Sequence, residues 1–231
     1  MSNYVLVHGA FVGGSYWRDV AALLENDGHR VDVIEQMPSA GEDRAALGDL
    51  AADTELVRRT VESVGQPVVL VGHSYGGMVI TELADHPGVA HAVYLAAFWP
   101  QPGQSVVDLL GGGPLPDWLV MGDDGTLEMT DDLEVRRQIE CGDVEPDRAN
   151  ENLRRMVPQS VASFAAPSTA PEHRHPTTYI ICEHDQAVPP PAQEQWAAAA
   201  DNVVRLPSSH QAMVSMPDRL AAVLAQLRPS S

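Results

Sequence analysis

The sequence predicts an α/β fold, a mainly parallel six-stranded sheet with helices on both faces and a small inserted cap. Three observations lead there. Short, fully apolar runs of strand length alternate with helical patterns from Tyr4 to Ala97. One of these runs, Val68-Val69-Leu70-Val71, ends in Gly72-His73-Ser74-Tyr75-Gly76 and passes at once into a helical pattern. The alternation stops at Phe98 and resumes at Thr177. Strands separated by helices need crossover connections, and those place the strands parallel with helices covering both faces.

Each element has a local reason. Tyr4-Val5-Leu6-Val7 is an apolar run closed by His8-Gly9-Ala10, and Tyr16, Trp17, Val20, Leu23 and Leu24 recur at helical spacing up to Gly28. Val31, Val33 and Ile34 form a second strand, followed by a loop from Gln36 to Asp43 that carries Pro38 and Gly41. From Arg44 to Val64 the apolar positions Leu47, Leu50, Leu56, Val57, Val61 and Val64 predict one long helix. After the Gly-x-Ser-x-Gly run and its helix, His86-Pro87-Gly88 marks a stop, and the run from His91 to Ala97 is a further buried strand. Thr177 to Cys182, Pro190 to Ala200, Val203 to Leu206, and Met216 or Pro217 to Leu227 then read as strand, helix, strand and helix. Between them, residues 98–175 are rich in Pro and Gly. They carry a turn signal at Gly122-Asp123-Asp124-Gly125 and charged helical stretches from Asp131 to Glu140 and Pro146 to Met156. The expected division is a core of residues 1–97 and 176–231 with a cap at 98–175.

Composition narrows the partners. A chain of 231 residues, 44% of them hydrophobic, buries one sizeable core. Fourteen basic residues against 32 acidic ones give a net charge of −18, so phosphate backbones and anionic membranes meet like charge almost everywhere. No apolar run has membrane-spanning length, and Met1-Ser2-Asn3 leads straight into a strand without a signal-peptide pattern, so a soluble cytoplasmic protein is expected. Cys141 and Cys182 are the two cysteines, neither in a C-x-x-C pair, and buried free thiols are expected. A homodimer is compatible with the sequence.

Strand followed by Gly-x-Ser-x-Gly and a helix is the context of a nucleophile elbow, which makes Ser74 the candidate nucleophile. The Tyr75 amide then opens a helix, where unpaired N–H groups favour negative charge. In an open parallel sheet the residues just after the strands share one edge. Asp185 and Glu183 both follow the penultimate strand as candidate acids, and His210 follows the last as candidate base. His29, His86 and His91 precede strands or end a helix, on the opposite edge. His73 is expected in packing, and His184 near the candidate acid by position alone. His173 and His175 form an H-x-H without a third ligand in reach, so no metal site is expected. The Ala10 amide, in the loop after the first strand, is the expected second donor to an oxyanion beside Tyr75.

Together these residues resemble the α/β-hydrolase superfamily, and most of the chain is similar to its methylesterase and hydroxynitrile-lyase branch. The resemblance rests on Val5 to Ala10, Trp17, Val71 to Gly77, Asp185 to Pro190 with Trp196, and Ser209 to Met213 with Pro217. It implies the triad Ser74, Asp185 and His210, choosing Asp185 over Glu183, and a cap over a mainly apolar pocket with no cofactor. Phe11, Tyr75, Phe98, Trp99, Trp118 and Met213 are the pocket candidates. Plant hydroxynitrile lyases of this group carry threonine at the Gly9 position and lysine at the Gln211 position, so both departures favour an esterase. The implied activity is serine-dependent hydrolysis of small to medium carboxylic esters. A lactonase or other acyl-bond hydrolase, a hydroxynitrile lyase and a receptor-like ligand-binding protein are the alternatives of the same fold.

Overall fold

The structure, a computed structural model, describes residues 1–227. Strands β1 (Asn3–Val7), β2 (Arg30–Val33), β3 (Val68–His73) and β4 (Val89–Leu95) are separated by helices α1 (Arg18–Asn26), α2 (Leu50–Val64) and α3 (Gly76–Thr81). Residues 98–175 then hold α4 (Val106–Leu109), β5 (Leu119–Met121), β6 (Thr126–Met129), α5 (Leu133–Cys141), α6 (Pro146–Leu153), β7 (Gln159–Ser160) and α7 (Val161–Ala165). The alternation resumes with β8 (Thr177–Cys182), α8 (Pro190–Ala197), β9 (Asn202–Leu206), α9 (Ala212–Ser215) and α10 (Pro217–Gln226).

The main sheet runs β2-β1-β3-β4-β8-β9 with every neighbouring pair parallel. Its central strands are apolar at consecutive positions because both faces are covered. Val5, Val7, Val68, Leu70, Ala92, Tyr94, Tyr179 and Ile181 enter one hydrophobic cluster. The alternate residues Tyr4, Leu6, Val69, Val71, Val93, Leu95, Ile180 and Cys182 enter the other. That is the period-two geometry of a strand with a core on each side.

The expected helix from Arg44 is shorter than its periodicity suggests. Arg44–Ala46 form one 3₁₀ turn, and α2 starts only at Leu50 because the Asp49 side chain accepts from the Ala52 amide as an N-cap. Gly65, with φ +66°, ends it. The turn at Gly122–Gly125 joins β5 to β6 as a hairpin, and β7 adds an antiparallel strand to β6. Backbone bonds from Gly41 to Pro158 and from Ser160 to Ser39 tie β7 to the loop after β2. Cys141, Ala149 and Leu153 pack in the same cluster as Trp17 and Met213, so α5 and α6 are anchored on the main body. Both cysteines are free and buried. No helix among the described residues is long and apolar enough to cross a membrane.

Candidate active site

The crossing of β3 and α3 places Ser74. Its φ of +52° lies in the left-handed region, a conformation that costs a non-glycine residue roughly 1–3 kcal/mol. Local bonds hold it there: the Ser74 amide donates to Leu95 O at 3.2 Å, and Ser74 O accepts from the amides of Gly77 and Phe98. The flanking glycines are required by contact. A Cβ on Gly72 would lie 2.7 Å from Gly76 O, and one on Gly76 would lie 2.7 Å from His8 O, both inside van der Waals contact. Ser74 is 8% exposed and faces a buried cavity.

Loops after β8 and β9 bring Asp185 and His210 to the same edge. His210 Nδ1 donates to Asp185 Oδ2 at 2.7 Å, with both residues buried. Asp185 has its remaining acceptor positions engaged as well. The amides of Ala187 and Val188 donate to Oδ1 at 2.8 and 2.9 Å, and Gln193 Nε2 donates to Oδ2 at 3.0 Å. A carboxylate held by that many donors is fixed in direction. Glu183 and His184 are exposed and outside the cavity. Between the two candidate acids, the structure therefore joins only Asp185 to the imidazole.

His210 shares the cavity with Ser74, although no hydrogen bond closes directly between them among the described residues. Burial disfavours its cation, but Asp185 and Glu140 stabilise it, and the balance raises its pKa above that of a free imidazole. His73 behaves differently. Its Nε2 donates to His210 O at 3.1 Å, its ring lies 4.5 Å from that of His210, and burial followed by the neighbouring His210 lowers its pKa well below the ordinary value. A neutral His73 thus holds the His210 backbone, more than the plain packing expected of it. His8 is also neutral. Burial lowers its pKa to about 4, with Nδ1 donating to Gly9 O and Nε2 accepting from the Met37 amide.

The Ala10 and Tyr75 residues line the same cavity, and neither amide has a backbone acceptor among the described residues. Phe11 follows with φ +64°, its amide donating to Gln159 Oε1 at 3.4 Å and its carbonyl accepting from Val157. Behind Tyr75 lies a buried polar network. The Tyr75 hydroxyl donates to Asp53 Oδ2 at 2.7 Å, Asp53 also accepts from the amide and hydroxyl of Ser39, and Gln159 Nε2 donates to Ser39 Oγ at 2.7 Å. Burial raises the Asp53 pKa, against those donors.

Of the expected pocket residues, Phe11, Tyr75, Phe98 and Trp118 line the cavity. Trp99 and Met213 do not. Trp99 stacks on Tyr94 at 4.2 Å and donates to His173 Nε2, beside a separate recess of about 720 Å³ that contains none of Ser74, Asp185 and His210. Met213 is buried in the second cluster, which also holds Trp17 and Leu206. Sequence reasoning passed over Leu110, Glu140 and Phe164, which come from residues 98–175 and complete the wall. It also passed over Gln193, whose position one helical turn into α8 carries no distinguishing local signal. The cavity holds about 30 Å³, room for one water molecule. No cluster of three or more His, Cys, Asp or Glu able to hold a metal exists among the described residues.

Comparison with known proteins identifies relatives along most of the chain. The sequence profile described as the alpha/beta hydrolase family matches residues 4–223. A carbendazim hydrolyzing esterase from Nocardioides sp. (strain SG-4G) is 34% identical, over 98% of this chain and 100% of its own. A pyrethroid hydrolase from Sphingobium wenxiniae is 30% identical over 97% of this chain and 87% of its own. Among solved structures, a pyrethroid hydrolase from Sphingobium faniae JZ-2 superposes with a TM-score of 0.83 at 27% identity, covering 97% of this chain and 96% of that one.

Proposed function

Because the chain belongs to the alpha/beta hydrolase family, we propose that it hydrolyses carboxylic esters of small to medium size through an acyl-enzyme on Ser74. The observation that carries this reading is the 2.7 Å bond from His210 Nδ1 to Asp185, which leaves Nε2 as the free nitrogen of an imidazole sharing one buried cavity with Ser74. His210 Nε2 takes the Ser74 proton as Oγ attacks the ester carbonyl, while Asp185 keeps the proton on Nδ1 and stabilises the imidazolium. The carbonyl oxygen becomes an oxyanion facing the Ala10 and Tyr75 amides, each such donor contributing roughly 3 kcal/mol in the transition state. Collapse breaks the bond to the alcohol, which leaves with the proton from His210. Water then repeats the sequence, yielding the carboxylic acid and free Ser74. Residues 98–175 act as a cap in this scheme, since Leu110, Trp118, Glu140 and Phe164 from that segment wall the cavity. A buried acid rather than a cation stands beside His210, which is unsuited to a leaving anion such as cyanide and so disfavours the lyase.

Diethyl p-nitrophenyl phosphate tests the nucleophile. One diethylphosphoryl group per chain should attach to the peptide carrying Ser74, and ester hydrolysis should stop in proportion. Labelling at another residue, or hydrolysis surviving complete labelling, sinks the assignment.

The pH dependence has a defined sign. Asp185 and Glu140 face His210 and favour its cation, while neutral His73 faces it from β3. Since only the neutral imidazole accepts the Ser74 proton, kcat/KM for an uncharged ester should fall as pH drops through the raised His210 pKa. The acid limb should therefore have its midpoint above the ordinary imidazole value of about 6.5. A midpoint at or below that value in a stopped-rate pH profile contradicts the role of the two carboxylates.

A further inference from the structure

Glu140, in the last turn of α5, is 5% exposed and lines the candidate active-site cavity, yet it pairs with no Lys or Arg among the described residues. Its only side-chain hydrogen-bond partner among the described residues is Gln211 Nε2, which donates to Oε2. A backbone bond ties the two residues together, the Gln211 amide donating to Glu140 O at 3.0 Å, and the Ser209 hydroxyl donates to the same carbonyl at 3.2 Å. Committing the Gln211 amide nitrogen to Glu140 turns its oxygen away. Gln211 is 1% exposed, lines the same cavity, and its Oε1 is buried without a hydrogen-bond partner among the described residues. An unsatisfied buried acceptor destabilises the free protein, so a bound donor there is favoured. One wall of the cavity, next to His210, is thus lined by Glu140 and by Gln211, whose Oε1 has no hydrogen-bond partner among the described residues.

We propose that Glu140 and Gln211 form a subsite for a nitrogen-borne N–H donor of the substrate, cationic or neutral, and that they reject substrates carrying a carboxylate at that place. The inference rests on the ester-hydrolase reading and adds a substrate class to it. A protonated amine supplies several N–H donors to oxygen acceptors in a water-excluded cavity, where charge-assisted bonds are at their strongest. A substrate carboxylate would instead bring a second negative charge against Glu140 and oxygen against Gln211 Oε1.

Three methyl esters of nearly the same length test it: β-alanine methyl ester, an ammonium at pH 7; methyl butyrate, its apolar counterpart; and monomethyl succinate, with a carboxylate. The wild-type protein should show kcat/KM for β-alanine methyl ester on the order of tenfold above methyl butyrate, and for monomethyl succinate on the order of a hundredfold below it. Ratios are taken within one enzyme, so any change in His210 basicity cancels. In Glu140→Gln both ratios should move most of the way towards one, and in Gln211→Met the preference for the ammonium ester should weaken. The wild-type ratios decide the matter even if a variant does not fold. Hydrolysis of methyl butyrate with equal or inverted ratios overturns the subsite while leaving the hydrolase reading intact. Absence of hydrolysis for all three esters overturns both.

Discussion

Replacing Ser74 with alanine is expected to lower kcat for p-nitrophenyl butyrate by about five to six orders of magnitude, down to the residual rate left by binding and the oxyanion donors. The fold should survive. The substitution keeps the Cβ, and the bonds that hold the elbow come from backbone atoms, Ser74 N to Leu95 O and the Gly77 and Phe98 amides to Ser74 O. Alanine at φ +52° carries about the same strain as serine, so the melting temperature should change little. Steady-state rates combined with thermal melts check both halves. A Ser74→Ala protein that is folded and within tenfold of wild type would remove Ser74 from the chemistry.

Asp185→Asn should cost on the order of 10⁴ in kcat, because an amide nitrogen cannot accept the Nδ1 proton. The imidazole would turn to the opposite tautomer, with the proton on Nε2, where Ser74 needs a base. Asparagine Oδ1 can keep the bonds from the Ala187 and Val188 amides, but its Nδ2 would face the Gln193 Nε2 donor now bound to Oδ2. A loss of stability of about 1–3 kcal/mol should accompany the loss of rate. The comparison variant is Glu183→Gln, at an exposed position two residues earlier, which should behave as wild type. If Glu183→Gln were the slower of the two, the acid would have been placed at the wrong residue.

How far such expectations reach from sequence differs by element. The apolar runs Val5 to Val7 and Val68 to Val71 announce strands with a core on both sides, and each residue's neighbours along the strand contain all the information needed. Gly72 and Gly76 announce the tight crossing through chemistry at fixed spacing. Asp185 and His210 were legible as candidates because each follows a strand, and strand ends share an edge whatever the details of packing. Periodicity misled where a polar contact competed with it: the helical pattern from Arg44 ran on through Gly48, and the Asp49 cap delayed the helix to Leu50.

The succession of strands and helices, the elbow and the positions of Ser74 and His210 were therefore written locally, in residue types and spacings, whereas the choice of Asp185 over Glu183 came from the family resemblance and the order of strands in the sheet from the tertiary structure. The direction of each loop and cap side chain was not. Trp99 and Trp118 are equally aromatic, yet one stacks on Tyr94 beside another recess and the other lines the cavity that holds Ser74. Met213 follows His210 closely but turns into the core. Glu140 reads as one more acid on a charged helix until α5 packs against the His210 loop and removes it from water. Such placements depend on contacts between segments far apart in the chain, where burial and the satisfaction of buried polar groups select one arrangement, and no local pattern records that selection.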